Sequence, residues 1–294
     1  MTSRWNDPSF TASMENQVWT ASPTIRRYLH RLVSGNPDCD WLTWVESKHL
    51  PPAVDRALVL GCGSGWLERA LAQRGRFRSI IACDFAPATV EKARALAAEQ
   101  GMDSIEYRVL DLEHEELDGP YGAVIANDVL HHITDLEGVA ERIHGALTSD
   151  GKIIFNEYVG PNRFQYVPER IDLINRYFRL LPDELRRDPH GGHIVWKRER
   201  QAAAQVIRED PTEAVRSEDV LPVFRSAFQV EKEYPYGGGL LNLLLYEVVV
   251  NFREEVPAHV RLLEILCAAE ERLSASGALE PDFAVFVGRR RAEA

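Results

Sequence analysis

The sequence predicts an α/β protein: a mostly parallel sheet with helices on both faces. Two observations carry that expectation. Runs such as residues 57–62, ALVLGC, are apolar throughout rather than alternating, as strands buried on both faces are. From Ala57 to Tyr158 such runs take turns with segments of helical spacing, the pattern of strand–helix–strand units.

The elements follow in order. Helices are expected over 24–35 and 41–50, the second stopped by Pro51-Pro52. The first strand covers 57–62. Leu67, Ala70 and Leu71 share one face of the next helix, which Gly75 ends. A second strand covers 79–84. The helix after it carries Val90, Ala93 and Ala97 on one face and stops at Gly101. Strands at 105–110, 121–128 and 151–158 follow, with an acidic loop after the third. Thr134 and Glu137 read as a capping box for the helix between the fourth and fifth. Beyond Tyr158 the order loosens. Residues 161–220 read as a charged helical insertion, clearest over 169–187. A sixth strand at 228–235, a helix over 257–273 and a last strand at 282–290 complete the sheet. The domain reading is an N-terminal helical lid over 1–50, a sheet domain over 51–160 and 221–294, and a cap over 161–220.

Composition narrows the function. The chain has 45 acidic and 34 basic residues, net −11. Such a surface gains nothing from releasing counterions on a phosphate backbone, so no nucleic-acid partner is expected. The four cysteines, Cys39, Cys62, Cys83 and Cys267, show no paired or metal-binding spacing, which suits a reducing cytoplasm. The N-terminal stretch is polar and without the apolar core of a leader, and no run is long enough to span a bilayer. No membrane partner and a cytoplasmic location are expected. The apolar stretch 239–252 reads as a buried helix, a hairpin or an oligomer contact such as that of a homodimer. His190 and His193 are two ligands at most, and no metal is expected. Lys197 to Arg200 reads as a solvated helix face.

The first strand runs into Gly61-Cys62-Gly63-Ser64-Gly65-Trp66. Ligands bind open parallel sheets at the carboxyl ends of the strands, so this turn marks the site. Its glycines permit positive φ and close approach of a ligand. A dinucleotide turn wants a third glycine where Trp66 stands, and no Tyr-x-x-x-Lys pair is present, which disfavours a nicotinamide oxidoreductase. Asp84 ends the second strand, where a carboxylate accepts hydrogen bonds from ribose hydroxyls, and Asp111 ends the third.

These segments in register, LVLGCGSGW, ACDFAP, VLDLE, IANDVLHHI and TSDGKIIFNEY, resemble the class I S-adenosylmethionine-dependent methyltransferases of the small-molecule type. The resemblance covers roughly residues 57–158. It implies a Rossmann-like seven-stranded sheet whose last strand is antiparallel, and S-adenosyl-L-methionine as cofactor. Gly61, Cys62, Gly63 and Gly65 would line its methionine and ribose parts. Asp84 would hold the ribose hydroxyls with Phe85 beside the adenine. Asp111 and Leu112 would contact the adenine, and Asn127 the methionine ammonium.

A sulfonium is already a strong methyl donor, so the enzyme must chiefly align the acceptor and exclude water. A base is needed only when the acceptor must lose a proton. His131 and His132 after the fourth strand, and Glu157 and Tyr158 at the end of the fifth, are the candidates for chemistry. The expected acceptor is a hydroxyl or amine of a small molecule. An alternative keeps the cofactor and changes the reaction to cyclisation, elimination or aminopropyl transfer. The N-terminal Trp19, Arg26, Arg27 and Tyr28 read either as a closing lid or as scaffold.

Overall fold

The computed structural model describes residues 18–291. Its centre is one seven-stranded sheet in the order β3-β2-β1-β4-β5-β7-β6. The strands are β1 (Val54–Leu60), β2 (Phe77–Asp84), β3 (Ile105–Val109), β4 (Tyr121–Asn127), β5 (Leu147–Tyr158), β6 (Gln229–Tyr236) and β7 (Phe283–Arg289). The first five run parallel, and β7 lies antiparallel between β5 and β6. All seven expected strands are present, with the antiparallel last strand in its implied place.

Both faces of the sheet are buried, and β1 shows why its sequence is apolar without alternation. Ala57 and Val59 join a core on one face, Leu58 and Leu60 a core on the other. The first core takes side chains from α1 (Pro23–Ser34), α2 (Trp41–His49), α3 (Trp66–Gln73), α4 (Pro87–Glu99) and α10 (Pro257–Ala275). The second takes α5 (Leu136–Ala146) and α8 (Val220–Ala227). The remaining helices are α6 (Pro168–Phe178), α7 (Ala203–Glu209) and α9 (Leu241–Leu245). Among the described residues no helix is long and apolar enough to cross a membrane.

Three local expectations are corrected. The cap of α5 is Asp135, whose carboxylate accepts from Gly138 N at 3.0 Å. Thr134 is instead tied back through its amide to Glu113, and Glu137 pairs with Arg216. The insertion is only partly helical: α6 stops at Phe178, short of Pro182, which cannot sit within a helix. Lys197 to Arg200 is not helical, and Arg198 is buried. Its guanidinium donates to the carbonyls of Leu244 and Tyr246, anchoring the insertion to the buried 241–245 helix.

The N-terminal residues are tied to scaffold. Trp19 packs on Phe283, Tyr28 donates to Glu270, Arg26 donates to the carbonyls of Thr20 and Ala21, and Arg27 pairs with Asp38. The part of the proposed lid over 1–17 lies outside the described residues. Glu270 itself is fully buried and accepts from the amides of Gly238, Leu240 and Leu241.

Beneath the glycine turn lies a buried acid. Glu68 on α3 is fully enclosed, and burial pushes its pKa up to about 7. A carboxyl whose pKa is raised on folding adds stability below its unfolded value, about 4.3. That stability is lost as pH rises toward 7. Glu68→Gln should therefore flatten the fall in melting temperature between pH 5 and 7 and leave the variant more stable than wild type at pH 8. Parallel melting curves of the two proteins across this range would refute the assignment.

Candidate functional site

A cavity of about 680 Å³ opens at the carboxyl ends of β1, β2, β3 and β4. Strand order reverses between β1 and β4, which leaves a crevice there. Its size is that of a small-molecule site.

The turn after β1 forms one wall. Gly61, Gly63 and Gly65 all have positive φ, at 58°, 53° and 84°. At Gly61 a Cβ would run into the side chain of Val129, whereas at Gly63 it would meet nothing within 4 Å. The first glycine is thus required by packing, and the second leaves space beside the backbone for a ligand. Gly65 precedes α3 and sits over Glu68 and Arg69 rather than in the cavity lining.

Asp84 fixes the turn from the next strand. Its carboxylate accepts from Gly63 N at 3.0 Å and from Ala86 N at 2.9 Å. Burial raises its pKa, and those amide bonds oppose the rise. The group is held ready to accept further donors, which would favour its charged form. Phe85 is half exposed and lines the same cavity. Asp111 and Leu112 line it from β3's end. The Asp111 carboxylate accepts from Glu113 N at 2.9 Å and lies 3.0 Å from His114 Nδ1.

At the end of β4, Asn127 and Asp128 form the floor. Asn127 accepts from Asn156 Nδ2 at 3.0 Å and donates to Asp128 at 2.9 Å. Asp128 has φ 51°, a conformation that costs free energy outside glycine, and its amide continues the sheet pairing to Asn156 O. Its side chain is exposed to the cavity, yet desolvation by the surrounding protein, and after it the charge of Glu157, raise its pKa.

Of the four residues expected to carry chemistry, only His132 lines the cavity. Glu157 is fully buried behind the wall. One of its oxygens accepts from Val129 N at 2.9 Å and Leu130 N at 2.5 Å, and the other lies 2.8 Å from His131 Nδ1. It is a bracket for the turn after β4, which corrects its expected place beside the substrate. His131 is buried too. Burial lowers its pKa, but the charge and hydrogen bond of Glu157, and then Glu213, lift it to about 9. A ring that holds its proton at neutral pH is a poor general base. Tyr158 is buried with its hydroxyl donating to Pro161 O at 3.1 Å, and burial first raises its pKa. It supports the wall without reaching the cavity.

Comparison with known proteins supplies the deciding observation: residues 58–155 match a family model described as a methyltransferase domain. Over those residues the chain is similar to methyltransferase domains. The match runs from β1 through β5, the strands that build the cavity. Over 101 residues the chain is 35% identical to the malonyl-acyl-carrier-protein O-methyltransferase of Acetivibrio thermocellus, covering 34% of this chain and 35% of that protein. Over 147 residues it is 31% identical to the ubiquinone biosynthesis O-methyltransferase of Xanthomonas axonopodis, covering 49% and 57%. The chain thus spans between about a third and three-fifths of these relatives' lengths. Among solved structures, phosphoethanolamine N-methyltransferase 2 of Haemonchus contortus, in complex with S-adenosyl-L-methionine, matches at TM-score 0.54 and 13% identity over 95% of this chain and 60% of that one. The 4+2 cyclase SpnF matches at TM-score 0.52 and 14% identity over 96% of both. At these identities the likeness is one of fold.

The matched region does not build the cavity alone. Val18 and Thr212 line it as well. Thr212 comes from the insertion, far along the chain from the strand ends, so no spacing in the sequence points to it. The one local signal is Asp210-Pro211-Thr212, a turn in which Asp210 Oδ1 accepts from Thr212 N at 2.9 Å.

Proposed function

We propose that this chain is an S-adenosylmethionine-dependent methyltransferase acting on a hydroxyl or amine of a small molecule. The observation that carries the reading is the Asp84 carboxylate, bonded to the Gly63 amide at the rim of the cavity. The residues present fit this cofactor. Gly63 leaves open space at the backbone, Asp84 has acceptor capacity for two hydroxyls, and Phe85 offers an apolar face. Asp84, Asp111, Glu113 and Asp128 outnumber Lys92 in the lining, which suits a ligand with a sulfonium and an ammonium group.

The bound cofactor would supply a methyl group already activated by positive sulfur. The protein's own residues then have three tasks. Asp84 and the glycine turn hold the nucleoside end in place. Asn127 and Asp128 present acceptors for an ammonium at the floor. His132 and Thr212 face the cavity from the opposite side and orient the acceptor, the alignment that contributes most to such a displacement.

The test is to incubate the protein with S-adenosylmethionine, with and without candidate hydroxyl and amine acceptors, and identify products by mass spectrometry. Equal amounts of S-adenosylhomocysteine and methylated acceptor, formed only when acceptor is present, are expected. Methylthioadenosine released without acceptor would replace this reading by a non-methyl reaction of the same cofactor.

A further inference from the structure

The geometry points to a divalent-cation site formed by His131, His132 and Glu213 at the acceptor side of the cavity. The sequence alone suggested no metal, because Glu213 lies 81 positions beyond His132 in the chain. The fold brings a ring nitrogen of each histidine and a Glu213 oxygen within 4.8 Å of one another.

Hydrogen bonds around the cluster decide where the lone pairs lie. His131 Nδ1 is 2.8 Å from a Glu157 oxygen, so Nδ1 carries a hydrogen and donates it. Its Nε2, whose proton a bound ion would displace, then faces Glu213 Oε1 at 3.6 Å. That gap is long for a direct hydrogen bond. It suits two ligand atoms of one ion, since metal bonds of about 2.0–2.2 Å at a tetrahedral angle place their donors roughly 3.4 Å apart.

His132 is set in the same way. Its Nδ1 lies 3.1 Å from Thr212 Oγ1, and that hydroxyl donates its one hydrogen to Asp210 at 2.7 Å. Thr212 can therefore only accept from His132, which leaves the lone pair on Nε2. Two imidazoles whose far nitrogens are fixed by oxygen acceptors, beside a carboxylate, repeat the outer shell that orients histidine ligands in metal sites. Two imidazoles and a carboxylate are a donor set for zinc, cobalt or iron rather than for magnesium or calcium.

The loop bearing Glu213 is tied down by several hydrogen bonds. The Arg163 guanidinium donates to Glu213 O at 2.8 Å and Pro211 O at 2.7 Å, and Val215 N donates to His131 O at 3.0 Å. Arg163, Phe164 and Ala214 all take positive φ where these segments meet. Strain of this kind persists where the surroundings fix a functional geometry. His132 and Thr212 line the cavity, so an ion here would lie beside the acceptor and act on its oxygen as a Lewis acid. Only that last role rests on the methyl-transfer reading; the site itself does not.

The full chain, stripped with chelator and dialysed, should bind one equivalent of Co²⁺ or Zn²⁺. Bound Co²⁺ should show visible absorption bands of low-coordinate geometry. His132→Ala and Glu213→Gln should each weaken binding at least 100-fold, and Thr212→Val about 10-fold, while the double variant His190→Ala/His193→Ala binds as wild type. Melting curves of each variant establish that it is folded. No stoichiometric binding by wild type would overturn the proposal, as would binding that survives both His132→Ala and Glu213→Gln. Neither failure touches the methyl-transfer reading, whose product assay is run separately with and without the metal.

Discussion

Asp84→Ala should weaken S-adenosylmethionine binding by about 100-fold or more, with only a modest loss of stability. A carboxylate bonded to two hydroxyls gives charge-assisted hydrogen bonds of roughly 1.5–3 kcal/mol each, and 1.4 kcal/mol is tenfold in affinity. Its present partners are the amides of Gly63 and Ala86, so the substitution also loosens the turn beside the ligand. Asp84→Asn keeps one acceptor oxygen and should fall between the two. Calorimetry on the three proteins checks the order. Equal affinities would remove Asp84 from the site.

The second large effect is on stability. Glu157→Ala should destabilise the fold by about 3–5 kcal/mol, since it leaves buried His131, one buried amide and one part-buried amide without their acceptor. Glu157 is wholly enclosed and serves Val129 N, Leu130 N and His131 Nδ1 at once. For a chain of this length the melting temperature should drop by roughly 10 °C. Glu157→Gln retains an acceptor and should lose less. A melting point within about 2 °C of wild type for Glu157→Ala would show that the bracket is dispensable.

Most of the fold was legible because one rule ran through it. Strands such as β1 are buried on both faces and so are apolar at every position, and the helices between them end at Gly75 or Gly101. The side of the cavity proposed for the cofactor was legible for a related reason. In a parallel sheet the ends of β1, β2, β3 and β4 meet by topology, so Gly61, Asp84, Asp111 and Asn127 converge without long-range information.

The side proposed for the acceptor was not legible. Glu157 looked like a substrate-facing acid because it ends a central strand. Its direction is set by the amides of Val129 and Leu130, a contact across the sheet that no local pattern reports. Arg198 looked solvated within a charge run, yet its guanidinium is buried against two carbonyls of the 239–252 stretch. Thr212 and Glu213 reach the histidines only because the insertion folds back across the strand ends. Such pairings depend on tertiary closure and leave no periodic trace in the sequence.

On this reading the cavity at the ends of β1 to β4 binds S-adenosylmethionine, and titration of the full chain with the cofactor by calorimetry measures that binding. One site per chain, lost in Asp84→Ala, is the expected result. Absence of binding by the folded wild-type protein, or equal binding by wild type and Asp84→Ala, would contradict it.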